Sequence, residues 1–479
     1  MKTKWDFGLN LGHYILVLLV AISFCCLYKI FSLDLLINMP RAVYLRSAKL
    51  FLFLIPLLII SSVEKKFIYT LALLVTALLS VTRVSDVYQI SVFNIELSTE
   101  CILVAFVFLL FIRDSLIISF SGLNDPASLF YFGFILVSYF STRINGENFN
   151  YSVFWGALVP SMLIYVFVAS GISSAREIKG CFFIGLMVLI ISIVYGLKDI
   201  IQMASLEDVF ITRIPSLYYN PLIYAGILIF LVPFIYKLWM ETRRILYPVW
   251  LLIWLTSLFE MFLTESRGAL VIFIFQHILG VYLIASSYGN LRRALKITSV
   301  FVVVALVVSG IFIKTYNLDE TLFRRFGHLN FSQKGNSAHE RVLGWKAGWE
   351  IGSRNFLGAG PGAFKYEYKT TQASTQGNLS LESAHSFFAN IFSETGIAGL
   401  LFFVLFCFYI WKYLFALKKS GRILNSTYIS LAISFVGLIL YYIIVLGEFQ
   451  HRNSSFPFFI FIIMCALVVG IYKKELREV

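Results

Sequence analysis

Charge is what this sequence has least of: Asp, Glu, Lys and Arg make up 14% of its 479 residues, against roughly a quarter in a soluble domain. A chain so poor in charge and 59% hydrophobic is not an ordinary water-soluble body. Repeats of fixed period and low-complexity tracts are also missing, which excludes solenoids, propellers and compositional linkers. Lys2 and Lys4 precede an apolar run as in a signal peptide, but no small-residue cleavage site follows, so the run reads as a retained span. Cysteine is scarce and badly placed for disulfides or metal. Cys25, Cys26, Cys101, Cys181, Cys407 and Cys465 all sit inside apolar runs, where they read as small core residues.

What the chain does have is apolar length. Runs near the ~20 residues needed to cross a bilayer recur from His13–Phe31 to Phe456–Tyr472, fourteen in all, or twelve if short early ones are discounted. The expected fold class is all-α, a polytopic integral-membrane bundle of about 12–14 transmembrane helices. Residues 1–313 are expected to be spans with short loops, 314–384 one large loop, and 385–479 further spans.

The net charge of +13 is no nucleic-acid footprint, because Lys and Arg are scattered through the short connections. Their placement reports topology. Lys65 and Lys66, Arg176 and Lys179, Lys237 with Arg243 and Arg244, Arg292 with Arg293 and Lys296, and Lys418 with Lys419 and Arg422 fall on one side if spans alternate. That side is cytoplasmic. Arg41, Arg46 and Lys49 disagree and would lie outside.

The outward side then carries the stretch 198–220, the turn Glu265–Arg267, the long stretch 314–384 and the turn 448–455. A loop of roughly 70 residues normally has structure of its own. Ser337 and Glu340 have capping-box spacing, and Val342, Trp345 and Trp349 follow at helical intervals beside Arg341 and Lys346. These features predict an amphipathic helix lying on the membrane surface, stopped by Gly352 and the run GAGPGAF, Gly358–Phe364. Trp345 and Trp349 read as interfacial anchors.

Polar residues enter the next apolar run in HSFFANIFSETGIAG, from His385. On a helical wheel His385, Phe388, Ala389 and Phe392 share one face, while Ser386, Asn390 and Ser393 form a polar stripe that must face protein or a water-filled cavity. Gly396 and Gly399 suit close approach of a neighbouring helix. Arg267 opens a span, where the helix dipole disfavours a cation, so a carboxylate such as Glu265 or an anionic ligand is expected beside it. Arg213 precedes a second helix start, with Asn220 as N-cap and Pro221 at the first helical position. A guanidinium at a helix N-terminus suits a phosphate. Each residue also has a plainer reading: Arg267 paired with Glu265 or snorkelling, Arg213 solvated in its loop, His385 a packing residue, Arg341 and Glu394 a fold-stabilising pair.

His385–Ser386, nine residues, Gly396, two residues, Gly399 resembles the pattern of the bacterial O-antigen ligase family at every defined position. RVLGWKAGWEIGSRNFLGAGPGAF is similar to that family's large periplasmic segment, and SRGALVIF, with Arg267, to its Arg-Gly span start. The resemblance covers about 264–400. It implies a membrane glycosyltransferase with a GT-C-like fold, sited in the bacterial inner membrane and acting on its periplasmic face. The implied partners are an undecaprenyl-diphosphate-linked glycan as donor, lipid A-core as acceptor, and membrane lipids. It also implies a catalytic role for His385 and diphosphate-binding roles for Arg267 and Arg213. Arg341, Glu265, Ser386, Asn390 and Glu394 are possible supporting residues.

An imidazole suits removal of a sugar hydroxyl's proton near neutral pH, and guanidinium groups suit a departing diphosphate. The outward acidic pairs Glu207–Asp208 and Asp319–Glu320 are adjacent residues that diverge on a regular element. A metal-independent, inverting transfer with no cofactor is therefore expected. Two alternatives stay open: a polysaccharide polymerase with a lipid-linked glycan as acceptor, and a lipid-linked oligosaccharide transporter, against which stand the missing repeat symmetry and the single large outward segment.

Overall fold

Nine of the expected apolar runs are helical in the computed structural model, which describes residues 89–92, 95–98, 124–145, 153–171, 175–202, 214, 216, 220–242, 244–264, 266–288, 337–376, 381–420, 425–446 and 456–477. The expected spans before residue 89 and at 295–313 lie outside the described residues, as do Arg213 and Glu265. Residues 175–184 belong to one compact unit and the other described residues to a second.

The first described element departs from an all-helical chain. Strands β1 (Gln89–Val92) and β2 (Ile95–Ser98) pair antiparallel, with Ile90 opposite Leu97 and Val92 opposite Ile95. Apolar residues alternate with Gln, Ser and Glu here, the period of a strand and not of a helix, so β2 takes the first four residues of the span expected at Ile95–Ile112.

The helices are α1 (Pro126–Asn145), α2 (Val159–Gly171) after a π turn, α3 (Ala175–Gln202), α4 (Pro221–Leu231), α5 (Pro233–Glu241), α6 (Tyr247–Leu263) and α7 (Arg267–Tyr288). Then come α8 (Ser337–Arg354), the short α9 (Phe364–Glu367), α10 (Phe387–Ser420), α11 (Asn425–Ile444) and α12 (Phe456–Arg477). Among the described residues, six helical stretches are long and apolar enough to cross a membrane.

Proline and glutamine together set one join. Pro233 separates α4 from α5 and has no N–H to give the Ile229 carbonyl one turn back. Gln276 of α7 supplies the donor, with Nε2 2.9 Å from the Ile229 oxygen and 3.0 Å from that of Ile433 on α11. Gly437 leaves the room this needs, since a Cβ there would overlap the Gln276 amide. Asn220 caps α4 as its sequence predicts, accepting from Leu222 N at 2.8 Å, with Pro221 next.

α8 is a helix as expected, but it packs on the protein through a face other than its tryptophan stripe. Leu343, Ala347 and Ile351 pack with Phe364, Tyr368, Ala373, Leu381 and Ala384, while Trp345 and Trp349 are exposed. Nor does Gly352 end the helix, which runs on to Arg354. Its role is contact: a Cβ there would lie 2.5 Å from the Phe392 carbonyl oxygen.

Candidate functional site

The motif histidine is not on a helix. α10 begins at Phe387, and His385 stands before it at φ 51°, a left-handed conformation uncommon for a residue with a Cβ. Local bonds hold it there. Asn390 Oδ1 accepts from Ala384 N at 3.1 Å, and His385 N donates to Ser383 Oγ at 3.3 Å. The helical face expected to join His385 to Phe388 and Phe392 does not form, because two residues before the helix the chain has already turned.

The polar stripe faces protein as expected. Ser386, Asn390, Ser393 and Glu394 are all buried, and Asn390 Nδ2 donates to Glu394 Oε1 at 3.1 Å. Asn390 thus joins the turn before His385 to the buried carboxyl of Glu394.

α10 breaks at Gly396, which has φ 65° and ψ −167°. This frees the Ser393 and Glu394 carbonyls, whose helical partners would be four residues on. The glycine run repairs the break: Ala359 N donates to Ser393 O at 2.9 Å and Gly360 N to Glu394 O at 2.8 Å, joined by Ser141 Oγ of α1 on Glu394 O at 2.9 Å. The two motif glycines thus serve other ends than helix–helix packing. Gly396 supplies a positive φ against the Phe356 carbonyl, and a Cβ at Gly399 would overlap Thr395 of its own helix.

The break is a sharp reversal. Phe387 lies 5.4 Å between ring centroids from Phe403, seven residues beyond the corner, 5.0 Å from Tyr442 and 5.6 Å from Phe458. α8 runs alongside the first limb on a glycine face, Gly344 against Ala384, Gly348 against Ala389 and Gly352 against Phe392.

Four helix starts meet at the last turns of α11. Phe387 of α10 touches Tyr442. Arg341, near the start of α8, donates from Nη1 to the Ile444 carbonyl at 2.6 Å, and burial lowers its pKa from the ordinary value. Gly268, beside Arg267, lies so close that an added Cβ would be 2.9 Å from Val445 and 3.2 Å from Ile444. Tyr441 Oη donates to the Leu222 carbonyl in the first turn of α4. Each start presents backbone N–H groups and the positive end of a helix dipole, set against the carbonyl end of α11, where Arg341 satisfies the Ile444 oxygen.

Arg267 is exposed at the first position of α7. Arg213 and Glu265 are not described, but their neighbours are: Ile214 N donates to Leu263 O at 3.2 Å, bringing the residue after Arg213 to the end of α6. Among the described residues no three His, Cys, Asp or Glu side chains converge to hold a metal ion.

Residues 251–404 match the Wzy_C family model, described as O-Antigen ligase. The matched segment runs from α6 to the second limb of α10, and so contains Arg267, Arg341, His385 and both motif glycines, but not Arg213. No curated protein matches the chain. With six helices able to span a bilayer, the family match marks a multi-pass membrane protein.

Sequence reasoning passed over one residue close to this region. Glu260 is 0% exposed and accepts from Tyr224 Oη. It is the one charged residue in the run Ile245–Thr264, and that isolation is the signal that marks it.

Proposed function

We propose that this protein is an O-antigen ligase that transfers a glycan from undecaprenyl diphosphate to lipid A-core at the periplasmic face of the bacterial inner membrane. The observation that carries this reading is the convergence of the starts of α4, α7, α8 and α10 on the last turns of α11, inside a chain whose 251–404 segment matches the O-antigen ligase family model.

In this mechanism His385 takes the proton from the acceptor hydroxyl as that oxygen bonds to C1 of the donor sugar. The C1–oxygen bond to the diphosphate breaks, and the negative charge gathering on the leaving group is met by Arg267, Arg213 and the N–H groups that open α7 and α4. Attack opposite the leaving group inverts the anomeric centre. The chain's own cations and helix starts supply the charge neutralisation, so no metal is assigned a part. Asn390 and Ser383 hold the turn that carries His385, Glu394 anchors Asn390, and Arg341 fixes the end of α11 beneath the donor's head group.

The test is a transfer assay with purified protein, lipid-linked glycan and lipid A-core. Core-dependent product is expected, lost in H385A and much reduced in R267A. Longer lipid-linked chains formed without core would replace the ligase reading with polymerase, and transfer intact in H385A would remove the assigned base.

A further inference from the structure

A carboxyl fully buried in an apolar helix needs a reason, because hydrocarbon disfavours it and an apolar side chain of similar size would suit the site better. Glu260 is such a group. It lies in the last turn of α6, one turn before Thr264, whose N–H bonds the Glu260 carbonyl at 3.0 Å. Its Oε2 accepts from Tyr224 Oη, one turn into α4, and among the described residues its Oε1 has no hydrogen-bond partner. α3 is shaped around the pair: a Cβ at Gly196 would fall 2.5 Å from Glu260 Oε1 and 3.2 Å from Tyr224 Oη.

The end of α6 held by this bond leads directly to one of the proposed diphosphate ligands. Beyond α6 come three residues and then Arg267 at the head of α7. Before α4 comes the stretch with Arg213, whose next residue, Ile214, is buried and donates its N–H to Leu263 O at 3.2 Å. Ser216 follows at φ 52°, its Oγ on the Ser192 carbonyl of α3 at 2.7 Å.

We propose that Glu260 and Tyr224 form a buried latch that fixes the spacing between the ends of α6 and α4 and thereby positions Arg267, at the head of α7, for the donor's diphosphate. This rests on the ligase reading and adds a positioning pair that touches neither substrate. A misplaced end would weaken donor binding while leaving the acceptor and His385 undisturbed.

The test is steady-state transfer by the full chain in detergent, varying donor and acceptor separately, with thermal unfolding as a folding control. Removing the bond in E260L or Y224F is expected to lower kcat/KM for the donor about tenfold, the scale of one hydrogen bond to a buried carboxyl, with acceptor KM within about twofold of wild type. E260Q keeps an acceptor for the Tyr224 hydroxyl and should restore donor kcat/KM, and the double variant Y224F/E260L should be no worse than either single one. A folded E260L with wild-type donor kcat/KM, an E260Q as impaired as E260L, or an equal rise in acceptor KM would overturn the latch. R267A separates this from failure of the underlying reading: R267A lowering donor kcat/KM while the Glu260 and Tyr224 variants are neutral refutes the latch alone, whereas R267A leaving donor kcat/KM unchanged removes the diphosphate site and the latch with it.

Discussion

Arg341 Nη1 and the carbonyl of Ile444 stand 2.6 Å apart, a cation on the final turn of α11. Carbonyls there have no helical partner, and a guanidinium both satisfies one and opposes the negative end of the dipole. R341A should destabilise the protein by about 2 kcal/mol, within the range for a hydrogen bond to a charged group. R341K, keeping charge and one donor, should fall between. Thermal unfolding in detergent measures both.

Three glycines on one face of α8 make a graded series. A Cβ would come within 2.5 Å of a backbone oxygen at Gly352, 2.9 Å at Gly344 and 3.1 Å at Gly348. Backbone cannot step aside as a side chain can, so stability should fall most in G352A, less in G344A and least in G348A. A flat series in thermal unfolding would mean that α8 does not pack on the first limb of α10 through this face.

The Gln276 amide replaces a donor that Pro233 cannot give. Q276L leaves carbonyls at 229 and 433 without that partner inside hydrocarbon and should cost about 1–3 kcal/mol. P233A restores an N–H to the first of them, so P233A/Q276L should recover part of the loss. Comparing unfolding of the two variants decides the point.

At His385 the choice of substitution matters. Its φ of 51° is tolerated by Asn better than by most residues, so H385N removes the imidazole with the least backbone disturbance. H385N should unfold within about 0.5 kcal/mol of wild type yet transfer no glycan. Activity in H385N would show that the residue's shape, and not its proton chemistry, is what the site uses.

Much of this architecture was legible beforehand, and the misses share a cause. Runs of apolar residues report helices that must cross a bilayer, and α1, α7, α11 and α12 formed where such runs lay. Asn220 with Pro221 marked a helix start for local reasons that tertiary contacts did not disturb. Periodicity failed at His385 because a helical wheel presumes a helix, whereas the chain turns there under bonds from Asn390 and Ser383. On α8 it reported the tryptophan stripe and not the face packed on protein, which is built from Leu343, Ala347, Ile351 and glycines, because small residues carry little hydrophobic signal while allowing the closest approach. In the hairpin at 89–98, β2 opens a run long enough to read as a span and β1 falls between runs, so length masks the alternation that pairs them. Glu260 was visible as a lone carboxylate, yet its partner Tyr224 is 36 positions away, and no local pattern connects them.

The reversal at Gly396 folds the first limb of α10 back along the second. Since Phe387 packs level with Phe403, the turn bearing His385 lies roughly 10 Å from the corner, seven residues at helical rise. That limb is pinned at both ends, by Tyr442 and Phe458 beside the turn and by the Ala359 and Gly360 amides at the corner. The unusual backbone at Gly396 and the one at His385 are thus held by a single short rod, and whatever loosens one end reaches the other.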